Sequence, residues 1–565
     1  MKLASTSISG RTGSRFPERS PLTIKIRPAA LVVALGLSFH FAAQAQSPLY
    51  SSAIADSRQE LGEFQINSVQ VDGNTLLPAS MVDAAFAGLT GPGRTLRDLS
   101  QAAARLQRRY RDAGYGGVLA FVPPQQLDGG TVLIRVVEGR LAEVRIEGNQ
   151  HFSSQNIRSG LPGLREGSTP RVPEVDRDIQ LSNENPAKAL KVTLLAGSRP
   201  GEIDAEVRVQ DRDPLRYSLA LDNTGGEQTG RYRLTAGLQH ANISDRDDIL
   251  NAQFQTSPGH SDQVKVLGLG YRLPRYSSAT SLDLFYAHSD VDNGITQTLA
   301  GPLAFAGQGR VFGARGNLHL ERIGAYDHRI GLGLDWRTYD NDCAFLDLGA
   351  LGSAACGSAA VSTQVLPLIL SYTGQAQSSR LAWGGNALLF ANLGGSSSKT
   401  FDAARPGARR NFFKARLSGF GEVQLPYGLA FRGDLEAQFS PHALLSGEQF
   451  GIGGAGSVRG YLERELAGDQ GHALRLELRG PAFAGAGLKL RPHLFVDQGR
   501  VVKRQGAACG AGGATACQIS AAGAGLRMDI GPAATASFEW GRARQDAIQT
   551  ADGDWRVQAQ LRFTF

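Results

Sequence analysis

From about residue 215 onward, helical periodicity vanishes and apolar and polar positions alternate in one segment after another. In Val557-Gln558-Ala559-Gln560-Leu561-Arg562-Phe563-Thr564-Phe565, the side chains Val557, Ala559, Leu561, Phe563 and Phe565 fall on one face of a strand. Gln558, Gln560, Arg562 and Thr564 fall on the other. The same period of two returns at Tyr217-Leu221, Leu267-Leu273, Ile330-Trp336 and Leu474-Leu478. Strands this apolar on one face, and small, polar or charged on the other, would aggregate edge to edge in water. Lipid outside and a water-filled lumen inside accommodate both faces, so residues 214–565 are predicted to form a transmembrane antiparallel barrel. At about 22 residues per strand and connection, with ~10 crossing the membrane, this stretch gives roughly 16 strands, and about 14 or 18 also fit.

Between Phe64 and Pro214 the period changes. Val69 and Val71 mark a short strand that stops at Asp72-Gly73-Asn74, and a helical stretch is expected around Met81–Phe86. Thr95 followed by Asp98 is a capping box opening a second helix. Its apolar residues Leu99, Ala102, Ala103, Leu106 and Tyr110 recur at helical spacing, and Gly114 is placed to end it. Strands at Gly117–Val122, closed by Pro123-Pro124, and at Val132–Val137 complete an α+β module over 64–139. A degenerate copy spans 140–213. Its Val144-Arg145-Ile146-Glu147-Gly148-Asn149 echoes Val69-Gln70-Val71-Asp72-Gly73-Asn74. A helix around Val175–Leu181 and strands at Lys191–Ala196 and Ile203–Val209 follow.

Ahead of both modules lies a basic region, then a mostly apolar core from Ala29 to Phe41, then Ala43-Gln44-Ala45. This is the pattern of a secretory signal over 1–45, with a short segment 46–63 following it. The signal changes the charge balance. Residues 1–45 carry six basic side chains (Lys2, Arg11, Arg15, Arg19, Lys25, Arg27) and one acid (Glu18), so the formal charge of +7 falls to +2 without them. Nothing in that balance calls for nucleic acid. A mean hydropathy of −0.19, with no interior run of 18 apolar residues, argues against membrane-spanning helices and leaves the barrel untouched. In an exported chain the four cysteines are expected to staple two loops, as Cys343–Cys356 and Cys509–Cys517.

Two motifs stand inside the barrel region. Gly453-Gly454-Ala455-Gly456-Ser457-Val458-Arg459-Gly460-Tyr461 lies in a long non-alternating stretch near 446–472, and Phe495-Val496-Asp497-Gln498-Gly499 lies on a strand starting near Leu488. Upstream are Tyr110-Arg111-Asp112-Ala113-Gly114-Tyr115, Val122-Pro123-Pro124-Gln125 and Val137-Glu138-Gly139-Arg140-Leu141. Leu221-Asp222-Asn223-Thr224-Gly225 with Gly230-Arg231-Tyr232 follows at the head of the barrel. Taken together, residues 64 to 565 resemble the two-partner secretion transporters (TpsB, of the ShlB/FhaC/HecB type), members of the POTRA-barrel superfamily.

The resemblance implies two POTRA domains before an all-β barrel of about 16 antiparallel strands in a bacterial outer membrane. It implies a loop folded back into the lumen, with Val458, Arg459, Gly460 and Tyr461 at its tip. Arg459 would meet Asp497 of the strand motif, with Phe495 and Gly499 beside it, and the POTRA motif would be Tyr110, Gly114, Tyr115, Pro123, Pro124 and Gln125. The implied partner is a large adhesin- or haemolysin-like exoprotein, whose N-terminal secretion domain is bound in the periplasm before the unfolded chain passes through the barrel. An arginine fork on a carboxylate would give such a loop a directional, charge-assisted anchor. Some relatives plug the pore with a preceding helix and linker; 46–63 is too short to supply both.

Other chemistry fails on inspection. Gly451-Ile452-Gly453-Gly454-Ala455-Gly456 matches G-x-G-x-x-G without the framing strand and helix of a dinucleotide site. The sequence has no Walker motif, no G-x-S-x-G, no C-x-x-C and no H-E-x-x-H. Neither catalytic residues, metal, cofactor nor nucleotide is expected. One rival is a barrel-assembly factor of the same superfamily, which usually carries more POTRA domains and lacks the Pro-Pro-Gln element. Another is a passive porin, which would not explain two modules.

Overall fold

A computed structural model describes residues 63–565 apart from 128, 228, 291–294, 299–300, 305–307, 341–360, 506–507 and 510–512. In the first module, Ser68–Asp72 runs parallel to Thr131–Glu138, which pairs antiparallel with Val118–Phe121. The helix Leu96–Asp112 buries Leu99, Ala102, Ala103, Leu106 and Tyr110 under this sheet. Its ends are built as the sequence predicts. Thr95 accepts the Asp98 amide while Asp98 accepts the Thr95 amide. At the other end Gly114 takes φ +96°, and the amides of Gly114 and Tyr115 bond back to Arg111 and Tyr110 at 2.9 and 2.8 Å.

One local element differs from the expectation and one strand pair adds to it. The shorter helix is Ala79–Asp83 rather than Met81–Phe86, because Pro78 fixes φ at −58° and starts it earlier. Phe64–Ile66 pairs with Gly91–Arg94, a strand whose Gly-Pro-Gly-Arg sequence reads as a turn. The second module repeats the sheet order. Arg140–Glu147 is parallel to Glu202–Asp211, and Lys188–Ala196 is antiparallel to it. The helices Ser154–Ser159 and Val172–Asn183 cover its core of Leu141, Val144, Ile157 and Val207.

The barrel is closed and has sixteen antiparallel strands, from Leu215–Asp222 to Trp555–Thr564. One strand, Gln470–Arg479, is interrupted and resumes as Phe483–Gly485 against the same neighbour, Leu488–Val502. Leu332, Leu334 and Trp336 face outward, and the intervening Asp335 is fully buried inside. Connections at one end are short, such as 378–380, 425–429 and 531–533; at the other they are long, such as 396–412, 440–469 and 503–515. In outer-membrane barrels the short turns face the periplasm.

The second module sits on that short-turn end. Lys188 Nζ bonds Asp247 Oδ2 at 2.5 Å and Asn156 Oδ1 at 2.9 Å, fully buried, and Tyr276 donates its hydroxyl to the same Asp247. Asn185 donates to the Ala241 carbonyl at 2.6 Å. Glu184, just beyond the module's second helix, receives Arg272 at 3.1 Å and Arg329 at 2.6 Å from the barrel wall.

Candidate functional site: the in-folded loop and its anchors

The chain between the strands Ala430–Phe439 and Gln470–Arg479 does not extend outward. It enters the lumen over 440–469, a few residues earlier than the stretch marked in the sequence, and carries its own small ladder, Phe450–Ile452 against Leu466–Gly468. Phe450, Ile452, Val458, Tyr461 and Leu466 pack with Val501, Ile519 and Ala521 of the wall. These wall residues lie on the inward faces of their strands, so a loop with apolar residues at matching positions gains a dry seat inside a polar lumen.

Arg459 is the centre of that seat and only 3% exposed. Its Nε and Nη2 donate to the two oxygens of Asp497 at 2.7 Å each, and its backbone amide adds a third bond at 3.0 Å. Nη1 reaches Glu477 at 2.8 Å and Glu539 at 3.1 Å. The guanidinium lies over the Phe495 ring, 3.6 Å from its centroid, adding a cation–π contact to the fork. Arg527 balances Glu477 at 2.9 Å, and His493 holds Glu539 at 2.7 Å. Buried charges persist only when paired and hydrogen-bonded on all sides, and this cluster meets that condition.

The neighbours of Arg459 fit the same geometry. Val458 is fully buried beside Gly499, where a Cβ would sit 3.0 Å from Val458 Cγ2 and from Ile452 Cδ1. Gly460 has φ +89°, and a Cβ there would lie 3.2 Å from the Gly541 carbonyl carbon. Tyr461 is fully buried; its hydroxyl donates toward the Ser520 and Gln545 carbonyls at 3.0 and 2.9 Å.

Four anchors were not marked in the sequence. Glu477 and Glu539 complete the arginine cluster. Glu465 accepts the amides of Gln549 and Thr550, both at 2.7 Å. At the loop's base, Glu448 receives Arg337 at 2.9 Å, Lys414 at 2.5 Å and the Tyr339 hydroxyl at 2.6 Å. The available signal was weak: Glu477 stands on the charged face of Leu474–Leu478, but Glu448 lies in no pattern and its partners are 34 and 111 residues away.

The POTRA motif residues fall in the first module. Tyr110 is fully buried and donates to Glu138 at 3.0 Å and to Asn74. Burial, together with Glu138, pushes the Tyr110 hydroxyl pKa well up. Burial works to raise the Glu138 carboxyl, but bonds from Thr75, Leu76 and Tyr110 outweigh it and hold the group below its usual range. Pro123 and Pro124 end the strand Val118–Phe121, having no amide to continue it. Gln125 takes over: its side-chain amide donates to the Leu133 carbonyl at 2.8 Å and accepts the Leu133 amide at 2.7 Å. Gly114 and Tyr115 form the helix cap. Cys509 and Cys517 are bonded, and Cys509 packs in the core that seats the loop. The Cys343–Cys356 pairing lies outside the described residues. Among those residues no group of His, Cys, Asp or Glu could hold a metal ion.

A closed sixteen-strand barrel with a loop clasped in its lumen and small α+β modules at its periplasmic end defines an outer-membrane transporter of the POTRA-barrel class. The family model for haemolysin secretion/activation proteins ShlB/FhaC/HecB matches residues 201–528, and that for the ShlB-type POTRA domain matches 64–139. The chain belongs to the ShlB/FhaC/HecB family. It is 25% identical to the outer membrane transporter CdiB of Dickeya dadantii over 74% of this chain and 73% of that one. It is 23% identical to the heme/hemopexin transporter protein HuxB of Haemophilus influenzae, covering 79% of this chain and 77% of the relative. The solved structure of CdiB from Escherichia coli superposes with a TM-score of 0.73 at 21% identity, over 92% and 94% of the two chains. The chain is therefore a two-partner secretion transporter of the outer membrane, with its POTRA region in the periplasm and a secreted exoprotein as partner. Members of this family are transporters rather than enzymes.

Proposed function

We propose that the exoprotein is a large adhesin- or haemolysin-like chain with an N-terminal secretion domain, captured by both α+β modules acting as POTRA domains. The modules expose sheet edges that accept an extended segment through main-chain hydrogen bonds with little sequence demand. The client then crosses the barrel unfolded, and its folding outside biases the movement. The observation that carries this reading is the Arg459 clasp: a loop occupies the lumen yet is held by a compact set of ion pairs that a passing chain can displace. Arg459, Asp497, Phe495 and Gly499 act here as the clasp; Val458, Gly460 and Tyr461 shape the tip that it holds. Tyr110, Gly114, Tyr115, Pro123, Pro124 and Gln125 act as the frame that keeps the first module's sheet in register.

The test is comparative proteomics of culture medium, cell surface and outer membrane, with the gene deleted or carrying Arg459→Ala. Loss of one large exported protein, with other barrel proteins unchanged, is the expected outcome and identifies the client. Broad depletion of barrel proteins would overturn the reading in favour of an assembly factor.

A further inference from the structure

The loop does not fill the lumen evenly. Its clasp lies against the strands from Gln470 to Ala543, and its base lies against Arg337 and Lys414. A cavity of about 750 Å³ remains along the first barrel strands, Leu215–Asp222, Arg233–His240 and Ile249–Thr256, and along the last, Trp555–Thr564. This wall differs in chemistry from the clasped one. Its inward side chains are mostly neutral, and they pair across strands: Gln239 donates to Asn251 at 2.8 Å and Gln255 to Thr235 at 3.1 Å. At its periplasmic end stand Arg216 and Arg562, neither in an ion pair among the described residues. At its far end the loop offers Ala455 and Gly456, side chains too small to intrude, with Glu463 beside them; of the wall's own charged groups there, Asp222 and Arg233, the arginine is bonded to the Thr229 and Gly230 carbonyls.

We propose that this wall is the path along which an extended polypeptide crosses the barrel, with Arg216 and Arg562 receiving it at the periplasmic mouth. The proposal rests on the transporter reading and adds where in the lumen the chain runs. An extended backbone presents N–H and C=O groups in alternation. Side-chain amides and hydroxyls offer the complementary donors and acceptors without a fixed charge to trap any passing residue. The opposite wall leaves a smaller cavity, about 270 Å³, where Asp434, Glu436 and Arg475 stand among Thr373, Gln375 and Asn386, so fixed charges of both signs flank a chain there. Two free guanidinium groups at the entrance attract carboxylates and backbone carbonyls, which raises the rate of entry at low salt.

The test uses the full-length protein in nanodiscs, with a photo-crosslinking residue at Gln253 on this wall or at Asn386 on the other. The probe is a biotinylated unfolded polypeptide of Gly, Ser, Asn and Asp. Labelling several-fold stronger at Gln253 than at Asn386 is expected. Arg216→Glu with Arg562→Glu should reduce the Gln253 signal several-fold at low salt and less at high salt. Gly456→Trp provides a second check. A Cβ at Gly456 meets open space, so the bulky side chain enters the cavity without disturbing the fold, and labelling should fall while the barrel keeps its heat-modifiable mobility. Equal labelling at the two positions, stronger labelling at Asn386, or labelling at neither overturns the proposal. Failure of the transporter reading shows separately in the deletion proteomes, which use none of these probes.

Discussion

Two of the buried ionic clasps, one on the second module and one on the loop, are built differently. Lys188 joins the second module to the barrel through one carboxylate, Asp247, supported by the neutral partners Asn156 and Tyr276. Arg459 joins the loop to the wall through three carboxylates, with Arg527 and Arg479 completing the charge balance and His493 bonding Glu539. A point charge on a flexible stem suits a contact made once at assembly. A planar fork that can give up Glu477 or Glu539 before Asp497 suits a contact meant to be undone stepwise and remade. The difference teaches that burial alone does not make a permanent joint; the number of alternative partners decides how it opens.

Four tests break or sharpen that comparison. The largest effect is expected for Asp497→Ala, which leaves Arg459 buried without its fork and costs about 3–5 kcal/mol locally. The loop should leave its seat, read as a rise in single-channel conductance; unchanged conductance would mean the clasp does not hold it. Lys188→Met should cost less, about 3 kcal/mol, since Tyr276 still satisfies Asp247. It should raise protease cleavage between the second module and the barrel without altering conductance. Adding Asp247→Leu should restore protection, and a double variant no better than the single would argue against the pair.

Third is a pH effect confined to the second module. Burial of Asp178 raises its carboxyl to about 6, against a weaker lowering by the Gly163 amide. The protonated form is the one the fold prefers, so the stability it contributes is present in full below the unfolded value and is lost as pH rises through 6. Between pH 7 and pH 4 the module should gain about 2 kcal/mol from this group, and Asp178→Asn should flatten that part of the profile by hydrogen exchange. A parallel profile in the variant would refute the assignment. The smallest change is expected for Glu539→Gln, about 1 kcal/mol, because its amide oxygen still accepts from Arg459 while Asp497 keeps the fork. Conductance should rise only slightly; a change as large as that of Asp497→Ala would erase the proposed order of release.

Much of this architecture is legible in the sequence because it rests on short periods. Alternation along Ile330–Trp336 shows the barrel wall, and the run Thr95, Asp98, Leu99 to Gly114 shows one helix from cap to cap. The clasp is legible only through resemblance, since no local pattern places Arg459 against a strand 38 residues later. Glu448 with Arg337 and Lys414 is not legible at all, because ion pairing across the lumen leaves no trace in neighbouring residues. Gly91–Arg94 is equally silent: nothing in its composition marks a strand, and its place beside Phe64–Ile66 makes it one.

The closing seam of the barrel has a kinetic consequence. Most neighbouring strands are hairpin partners, and the ladder between Leu488–Val502 and Ala516–Ile530 extends along both strands in full. The seam pairs Asp222 with Gln560 through Ser218 with Thr564, continues in two backbone bonds between Tyr217 and Phe565, and is reinforced by Asn223, whose side-chain amide bonds Val557 334 residues away. Loop-closure entropy is greatest for such a pairing, and the ladder that repays it is short. Hairpins can therefore accumulate one after another in the membrane while the strand Leu215–Asp222 waits with an unsatisfied edge. Shielding that edge until the final strand arrives becomes the demanding step of biogenesis, set by topology rather than by the strength of any single contact.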